Sequence, residues 1–391
     1  MIVTSSRLKL FNMSRVLWEV RRTPGISRRE LSRLLNSTDS KLSRITRDLI
    51  ADNLLVERAT ARSAMRGRPH VGLYLNPPGL HVLSIVLTRY EQKISIVDLT
   101  GQRVAEDEID GGVEECNNNI LDCARRQITR LSERPDMRFE CLAGISLIVS
   151  PDIELHGDQD QRVWLNALQN DLHMAFDIPV ARSGIAEALH IAETHQTIEL
   201  PTLPSVMVHA GFALDASMIV STDTSATTLF EGNLNDVLAR FDRGTNSWLS
   251  LKDVASAGAV MHRLGHVEQV DTSRNTGLRL GVPHAVRQAN SGDRRATTAF
   301  RDAGEAVGIA IAALVSMLVP ARVILAGPLA SAVPFVEGFR YIIQKTSACD
   351  SDAIIRSTLS DLQAAEAAGL EWFAFSEMTL DHSEPQAPNR K

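Results

Sequence analysis

The chain of 391 residues is poor in the features that mark secreted, membrane-bound or metal-stapled proteins. It has only four cysteines, Cys116, Cys123, Cys141 and Cys349, and none stand at metal-like spacing. That excludes a disulfide framework and points to a reducing compartment. The opening stretch "MIVTSSRLKLFNMSRV" lacks a sustained apolar core and a small-residue cleavage site, so it does not read as a signal peptide. The most apolar region, "AVGIAIAALVSMLVPARVILAGPLASAV", is interrupted by Pro320 and Arg322. It reads as a buried helix followed by a buried strand, not as a membrane span. A cytoplasmic protein without membrane contact is the expectation.

Charge is present but unevenly placed. The whole chain carries −6, yet residues 1–80 hold 15 lysines and arginines against 6 acids, a net +9 that leaves −15 on the rest. A basic head can attract a polyanion while an acidic body repels it, which favours one docking orientation. The length is comfortable for two or three domains.

The head has helical periodicity. Leu8, Phe11, Val16, Leu17 and Val20 fall near helical spacing, and Pro24-Gly25 ends the segment. Ser27 with Glu30 three residues on forms a capping box for a second helix, and Ile26 stands where it could staple onto Leu31. Leu31, Leu34 and Leu35 are its expected buried stripe. A third helix is expected from about Asp39 to Asp52, with Thr38 as its cap. Leu42, Ile45, Leu49 and Ile50 make its inner face, while Ser40, Lys41, Ser43, Arg44 and Arg47 make the outer one. Short hydrogen-bonding side chains mixed with cations suit a helix lying in a major groove, where base edges and phosphates run side by side. Two strands follow, at Leu54–Val56 and Val71–Leu75. Between them lie Arg58, Arg62, Arg66 and Arg68, with Gly67 and Pro69. That is the layout of a winged helix-turn-helix whose cationic wing can enter the minor groove. The bland alternative is a pair of amphipathic helices that only pack. The order of elements inside so basic a segment favours double-stranded DNA as the partner.

Beyond Leu80 the pattern changes to alternating strands and helices. "HVLSIVLTRYEQKISIVDLTGQRVAEDE" reads as three strands with a turn at Thr100-Gly101, and a helix is expected near Asn118–Arg134. "CLAGISLIVS" is a buried strand, "MAFDIPVARSGIAEALHIAETH" a strand into a helix, and "SVMVHAGFALDASMIVST" a hairpin. The fold class is α/β with covered sheets, in two lobes.

Here the chain resembles a known family. "ELSRLLNSTDSKLSRITRDLIADNLLVE" with "RGRP" and "LYLNPPGLHVLSIVL" looks like the head of the regulators of the ROK family (repressors, open reading frames and sugar kinases). "VDLTGQRV", "VILAGPLA" and "DLQAAEAAGLEWFAF" match that family's body in order, so the likeness runs over residues 8–377. It implies a winged helix-turn-helix over 1–79 and a two-lobed actin-like (ribonuclease H-like) ATPase or sugar-kinase body. The implied lobes are 80–195 and 196–377, with a C-terminal helix returning to the first. Residues 378–391 read as a disordered tail. The resemblance also implies a homodimer or homotetramer that controls carbohydrate-related genes, as a repressor or an activator, with a sugar or sugar phosphate as candidate effector.

The chemical motifs of the family kinases are missing. Where they carry an Asp-x-Gly-x-Thr phosphate loop, this chain has Val86, Thr88 and Tyr90. Their second, glycine-rich loop reads "AGFALDAS" here, with Phe212 and Leu214 in place of the glycines that let N–H groups crowd a phosphate. The position of the catalytic Asp, in "PVARSGIAEAL", falls on Ile185, which cannot accept a proton. Glu231-Gly232 remains of the zinc motif, without its histidine or cysteines. His190 and His195, five apart on one helix, read as ordinary helix residues. The expectation is no enzyme, no cofactor and no metal. The polar residues left in the cleft region as effector candidates are Asp152, Glu154, His156, Arg182, Glu187 and Glu231. The alternatives are a sugar kinase with a DNA-binding appendage and an effector-free scaffold.

Overall fold

The architecture is that of a computed structural model, which describes residues 5–59, 71–109, 117–133, 141–150, 153, 161–196, 204–221, 226–242, 247–267, 277–346 and 349–376. The head comprises α1 (Ser5–Arg22), α2 (Arg28–Leu34), α3 (Asp39–Ala51), β1 (Leu55–Ala59) and β2 (Val71–Leu75). Ser27 accepts from the Glu30 N–H while Glu30 reaches back to the Ser27 N–H, so the capping box starts α2. Thr38 caps α3. β1 and β2 pair antiparallel, Leu55 opposite Leu75.

The body repeats one wiring scheme twice. The first sheet uses β3 (His81–Leu87), β4 (Gln92–Asp98), β5 (Arg103–Glu108), β6 (Leu142–Val149) and β7 (Val180–Ser183), with α4 (Asn117–Ser132), α5 (Gln161–Phe176) and α6 (Ile185–Gln196) between and after them. The second half begins with β8 (Ser205–Ala210), β9 (Leu214–Ser221), β10 (Ala226–Asn233), β11 (Leu238–Asp242) and β12 (Ser247–Ser250). It continues with α7 (Leu251–Ala255), α8 (Ala257–Arg263), α9 (Gly277–Asn290), α10 (Arg294–Leu318), β13 (Arg322–Ala326), α11 (Val333–Thr346), β14 (Ile354–Arg356) and α12 (Asp361–Leu370). Strand order is β5-β4-β3-β6-β7 in one sheet and β10-β9-β8-β13-β14 in the other. In each, an antiparallel meander is followed by two parallel strands. β3 and β8 lie central and are buried along their whole length, which is why they read as continuous apolar runs.

Between the sheets lie α6 and α12. They pack on each other, α12 against β3 and β6 and α6 against β8 and β9. One apolar cluster runs through this layer from Val86 and Ile148 of the first sheet to Met207, Ile219 and Ile324 of the second. α6 lies in the range expected for the first lobe but packs on the second sheet as well. Its His190 accounts for part of this: the buried ring bonds Ser217 at 2.8 Å and Ser205 at 2.7 Å, both on the second sheet. Burial pushes that imidazole down to about 3, with the Ser217 contact opposing, so it stays neutral as a structural tie.

The head is attached by packing as well as by chain. Val16, Leu17, Leu49 and Leu55 share a cluster with Val82, Val97, Leu99, Phe373 and Phe375 of the body. Trp18 lies 6.4 Å from Phe375, and the Arg21 guanidinium sits 4.7 Å above the same ring. A large side chain removed from water contributes about 1.5–3 kcal/mol, so several such contacts hold the head in place. Phe373 and Phe375 belong to a π-helical turn, Glu371–Phe375, that extends α12. Gly79, at the junction, has no room for a side chain: a Cβ there would strike the Asn53 carbonyl.

Candidate nucleic-acid interface

α3 divides its residues as a half-exposed helix must. Leu42, Ile45, Thr46 and Leu49 are buried, while Ser40, Lys41, Arg44 and Arg47 are exposed and Ser43 lies between. The helix is fixed from behind. Thr46 donates its hydroxyl to the Leu42 carbonyl at 3.0 Å and accepts from Arg28 Nε at 2.9 Å. Arg28 also pairs with Glu57 of β1 at 2.8 Å, so one guanidinium ties α2, α3 and the hairpin together. In the turn, the Ser32 hydroxyl donates to the Ser37 carbonyl at 2.6 Å. The angle between α2 and α3 is thereby set before any partner arrives.

Charge on this surface is left uncompensated. Among the described residues Arg29 and Arg33 of α2 and Arg44 and Arg47 of α3 are exposed and make no ion pair. Three other cations of the head are in ion pairs: Lys9 with Asp48 at 3.2 Å, Arg22 with Glu19 at 3.6 Å, and Arg28 as above. Sequence reasoning missed Arg29 and Arg33, although their place just inside the capping box was a usable signal. It also missed the behaviour of Lys41, whose Nζ donates to Asn12 Oδ1 at 3.0 Å. That partner lies in another helix and left no local mark. One expectation is corrected. Leu34 is 55% exposed and is not in the buried stripe, because α2 ends there and the last turn rotates it outward. Leu31 is buried as expected and Leu35 half-buried. The wing residues Arg62, Arg66, Gly67, Arg68 and Pro69 lie outside the described residues. Arg58, at the wing's base, packs 5.5 Å over the Tyr74 ring.

The cleft of the body has a different character. Val86 and Ile185 are fully buried in the interlobe apolar cluster, beside Ile148, Met207 and Leu362. The turn after β3 is knit to α12: the Thr88 hydroxyl donates to Asp361 at 2.7 Å, and Glu91 accepts the Leu362 N–H at 2.8 Å. The Tyr90 ring stacks on Phe212 at 5.3 Å, and Arg89 sits 4.9 Å from the other ring's centre. The two loop positions that resemble kinase phosphate loops are therefore joined by an aromatic pair.

Of the effector candidates, Asp152, Glu154 and His156 lie outside the described residues. Arg182 bonds Asn166 of α5 at 3.1 Å on the open surface. Glu187 and Glu231 come together at Gly184, where the Glu231 carboxylate leaves no room for a Cβ. Burial of the carboxyl lifts Glu231 to about 7, Glu187 pushes the same way, and the Gly184 N–H that it accepts pulls back. The residue as a whole is exposed. Among the described residues no three His, Cys, Asp or Glu side chains cluster as a metal site would require. None of their helices is long and apolar enough to cross a membrane.

No family model matches the chain. A relative is the DNA-binding transcriptional repressor Mlc of Escherichia coli (strain K12), 23% identical over 320 residues, which span 78% of this chain and 78% of the repressor. Among solved structures, a ROK family transcriptional regulator described as a homologue of that E. coli protein superposes with a TM-score of 0.68. It is 20% identical, over 93% of this chain and 97% of its own. A ROK hexokinase from Thermus thermophilus superposes with a TM-score of 0.52 at 18% identity, over 74% of this chain and 98% of its own. The regulator's likeness spans nearly the whole chain, whereas the hexokinase leaves about a quarter of it unmatched. The chain therefore shares the head-and-body fold of that ROK family transcriptional regulator, and its body shares the fold of the ROK hexokinase.

Proposed function

We propose that this protein is a sequence-specific DNA-binding transcriptional regulator, a repressor acting in the cytoplasm on carbohydrate-related genes. The observation that carries the reading is the row of exposed, unpaired arginines on a rigidly buttressed α3, within a head of net +9. Gathered on one helix face within a basic segment, such cations raise the local potential that attracts a polyanion. Thr38, Ser40, Lys41, Ser43, Arg44 and Arg47 contact base edges or phosphates. Arg62, Arg66 and Arg68, shaped by Gly67, enter the minor groove. The unit boundaries are 1–79 for the head and 80–195 and 196–377 for the two lobes. A homodimer or homotetramer presents paired heads to half-sites spaced by whole helical turns. The relation to a named repressor and the full-length likeness to a regulator support this reading.

The body performs no phosphoryl transfer in this proposal, because Ile185 lies at the resembling position of the base and is sealed in apolar surroundings. An effector, where one acts, is a sugar or sugar phosphate held at the cleft edge near Glu187 and Glu231. It acts by favouring a body geometry whose heads no longer fit the half-site spacing. Arg182, Asp152, Glu154 and His156 are the remaining candidates for that site.

The test is selection of bound duplexes from a random pool by the purified full chain, followed by genome-wide mapping of occupied sites. Enrichment of one repeated motif, shared by both experiments, is expected. A pool that stays random after several rounds sinks the reading. Turnover of ATP with any hexose or amino sugar would sink its non-enzymatic half.

A further inference from the structure

We infer that α1 contributes a seat for a DNA backbone phosphate beside the recognition helix, with Arg15 and Lys41 as its two cations. The inference rests on the DNA-binding reading above and adds residues to it. A groove of about 450 Å³ runs between α1, the turn before α3, and the first half of α3. Its floor is apolar, with Val16 and Leu42, and its rim is polar, with Asn12, Arg15, Thr38 and Lys41.

Three features point to a phosphodiester. First, Lys41 is drawn away from the centre of the outward face of α3. Its ammonium is hydrogen-bonded to Asn12 across the groove at 3.0 Å, so it sits on the flank where a groove wall passes and not over the base edges. Second, neither cation is neutralised: Lys41 is held by a neutral amide, and Arg15 has no ion pair among the described residues. Arg15 is held in place by its own helix, with the guanidinium 5.4 Å from the Phe11 ring centre. Third, the mixture of lining matches the ligand. A backbone segment carries one anionic phosphate between two largely apolar sugar faces, and an apolar floor with a cationic rim meets both. The free face of α2, with Arg29 and Arg33, stands on the other flank of α3. The recognition helix is thus bordered by cations on both sides, as a major groove is bordered by two phosphate backbones.

The assignment commits Lys41 to the backbone and not to a base edge, and it adds Arg15. The two roles differ in their salt dependence. A phosphate contact weakens binding equally on all sequences and carries about one unit of the slope of log affinity against log salt. Binding of the full-length protein to a selected duplex and to a random duplex is measured by fluorescence anisotropy from about 50 to 200 mM salt. Arg15→Gln and Lys41→Gln are each expected to bind both duplexes about tenfold more weakly at ~0.1 M salt, with the slope reduced by about one. Lys41→Arg is expected to keep the slope. Arg15 is half-buried on a surface, so its variant should melt with the parent; should it not, Lys41→Gln carries the test alone.

A loss confined to the selected duplex would make Lys41 a base reader and overturn the inference. So would unchanged slopes in both glutamine variants while the parent binds DNA. If the parent binds neither duplex, the DNA reading itself has failed, which is a different result. Saturable thermal stabilisation by inorganic phosphate alone, lost in Lys41→Gln, would assign the groove to a free anion and overturn the DNA source.

Discussion

The head concentrates exposed arginines on one helix face, whereas the body mixes paired and unpaired ones. Arg103 pairs with Glu366 at 2.6 Å, Arg301 with Glu337 at 2.8 Å and Arg125 with Asp122 at 2.9 Å, while Arg287, Arg294 and Arg356 are exposed, scattered over separate elements, with no ion pair among the described residues. On the outer side of α3 Arg44 and Arg47 face solvent without partners. The inner spaces contrast in the opposite sense. The body cleft is filled by Val86, Ile185 and a Tyr90–Phe212 stack. Exposed charge gathers on the outer face of the head, and apolar packing fills the positions that resemble a kinase's phosphate loops and base. One region presents its charge to solvent, and the other is closed on itself by packing.

The sharpest way to break this contrast is to return a carboxylate to the cleft. Ile185→Asp buries an unpaired charge in an apolar layer that joins both sheets. It is expected to cost about 3–5 kcal/mol, read as a lower denaturant midpoint, and to bring no ATP turnover. A stable variant would mean that the layer is looser than its packing indicates.

His190 gives the next effect. Its folded value of about 3 lies below the ordinary histidine value of 6.5. The unfolded chain therefore takes up this proton first, and the contribution to stability is present above pH 6.5 and lost as pH falls toward 3. The loss can reach about 1.4 kcal/mol per pH unit. His190→Gln should show a shallower fall of melting temperature on acidification than the parent, whatever its stability at neutral pH. Parallel curves would remove His190 as a source of acid sensitivity.

On the head side, Arg44→Ala should weaken binding to a selected duplex by about 1–3 kcal/mol if the side chain reads a base, with the melting temperature unchanged. An equal loss on random DNA would make it a backbone contact and blur the division between α3 and its flanks.

The smallest effect is expected at Glu231. Its carboxyl is raised from the ordinary 4.5 to about 7, so stability present below pH 4.5 is lost as pH rises through 7. Solvent access screens the effect. Glu231→Gln should match the parent in acid and exceed it slightly in melting temperature at pH above 7. No divergence between the two curves would mean that the carboxyl is solvated enough to ionise freely.

Much of the head was legible because its signals are local. Ser27 and Glu30 lie one helical turn apart, and the capping box they announce forms as expected. Thr38 caps α3, and the apolar spacing of Leu42, Ile45 and Leu49 places them inside. Leu34 broke the pattern because periodicity assumes that a helix continues, and α2 stops at that residue. The body's strands were legible from continuous apolar runs, but the role of α6 was not. His190 looked like an ordinary helix residue, and only the second sheet's Ser205 and Ser217, each bonded to its ring, give it a task. The contacts that define the candidate site's edges, Asn12 to Lys41 and Arg28 to Thr46 and Glu57, join residues from different elements. No window of sequence contains them.

By itself the sequence determined the order of elements, the charge split between head and body, and the residue types at the positions that resemble kinase motifs. These depend on residue type and on spacing within a turn or a strand, where neighbours along the chain are neighbours in space. The tertiary structure decided which cations remain free, which carboxylates meet and what occupies the cleft. Those outcomes depend on distances between segments far apart in sequence. Arg44 is available and Arg103 is not because a glutamate stands 263 positions away on the chain and within hydrogen-bond reach in the fold.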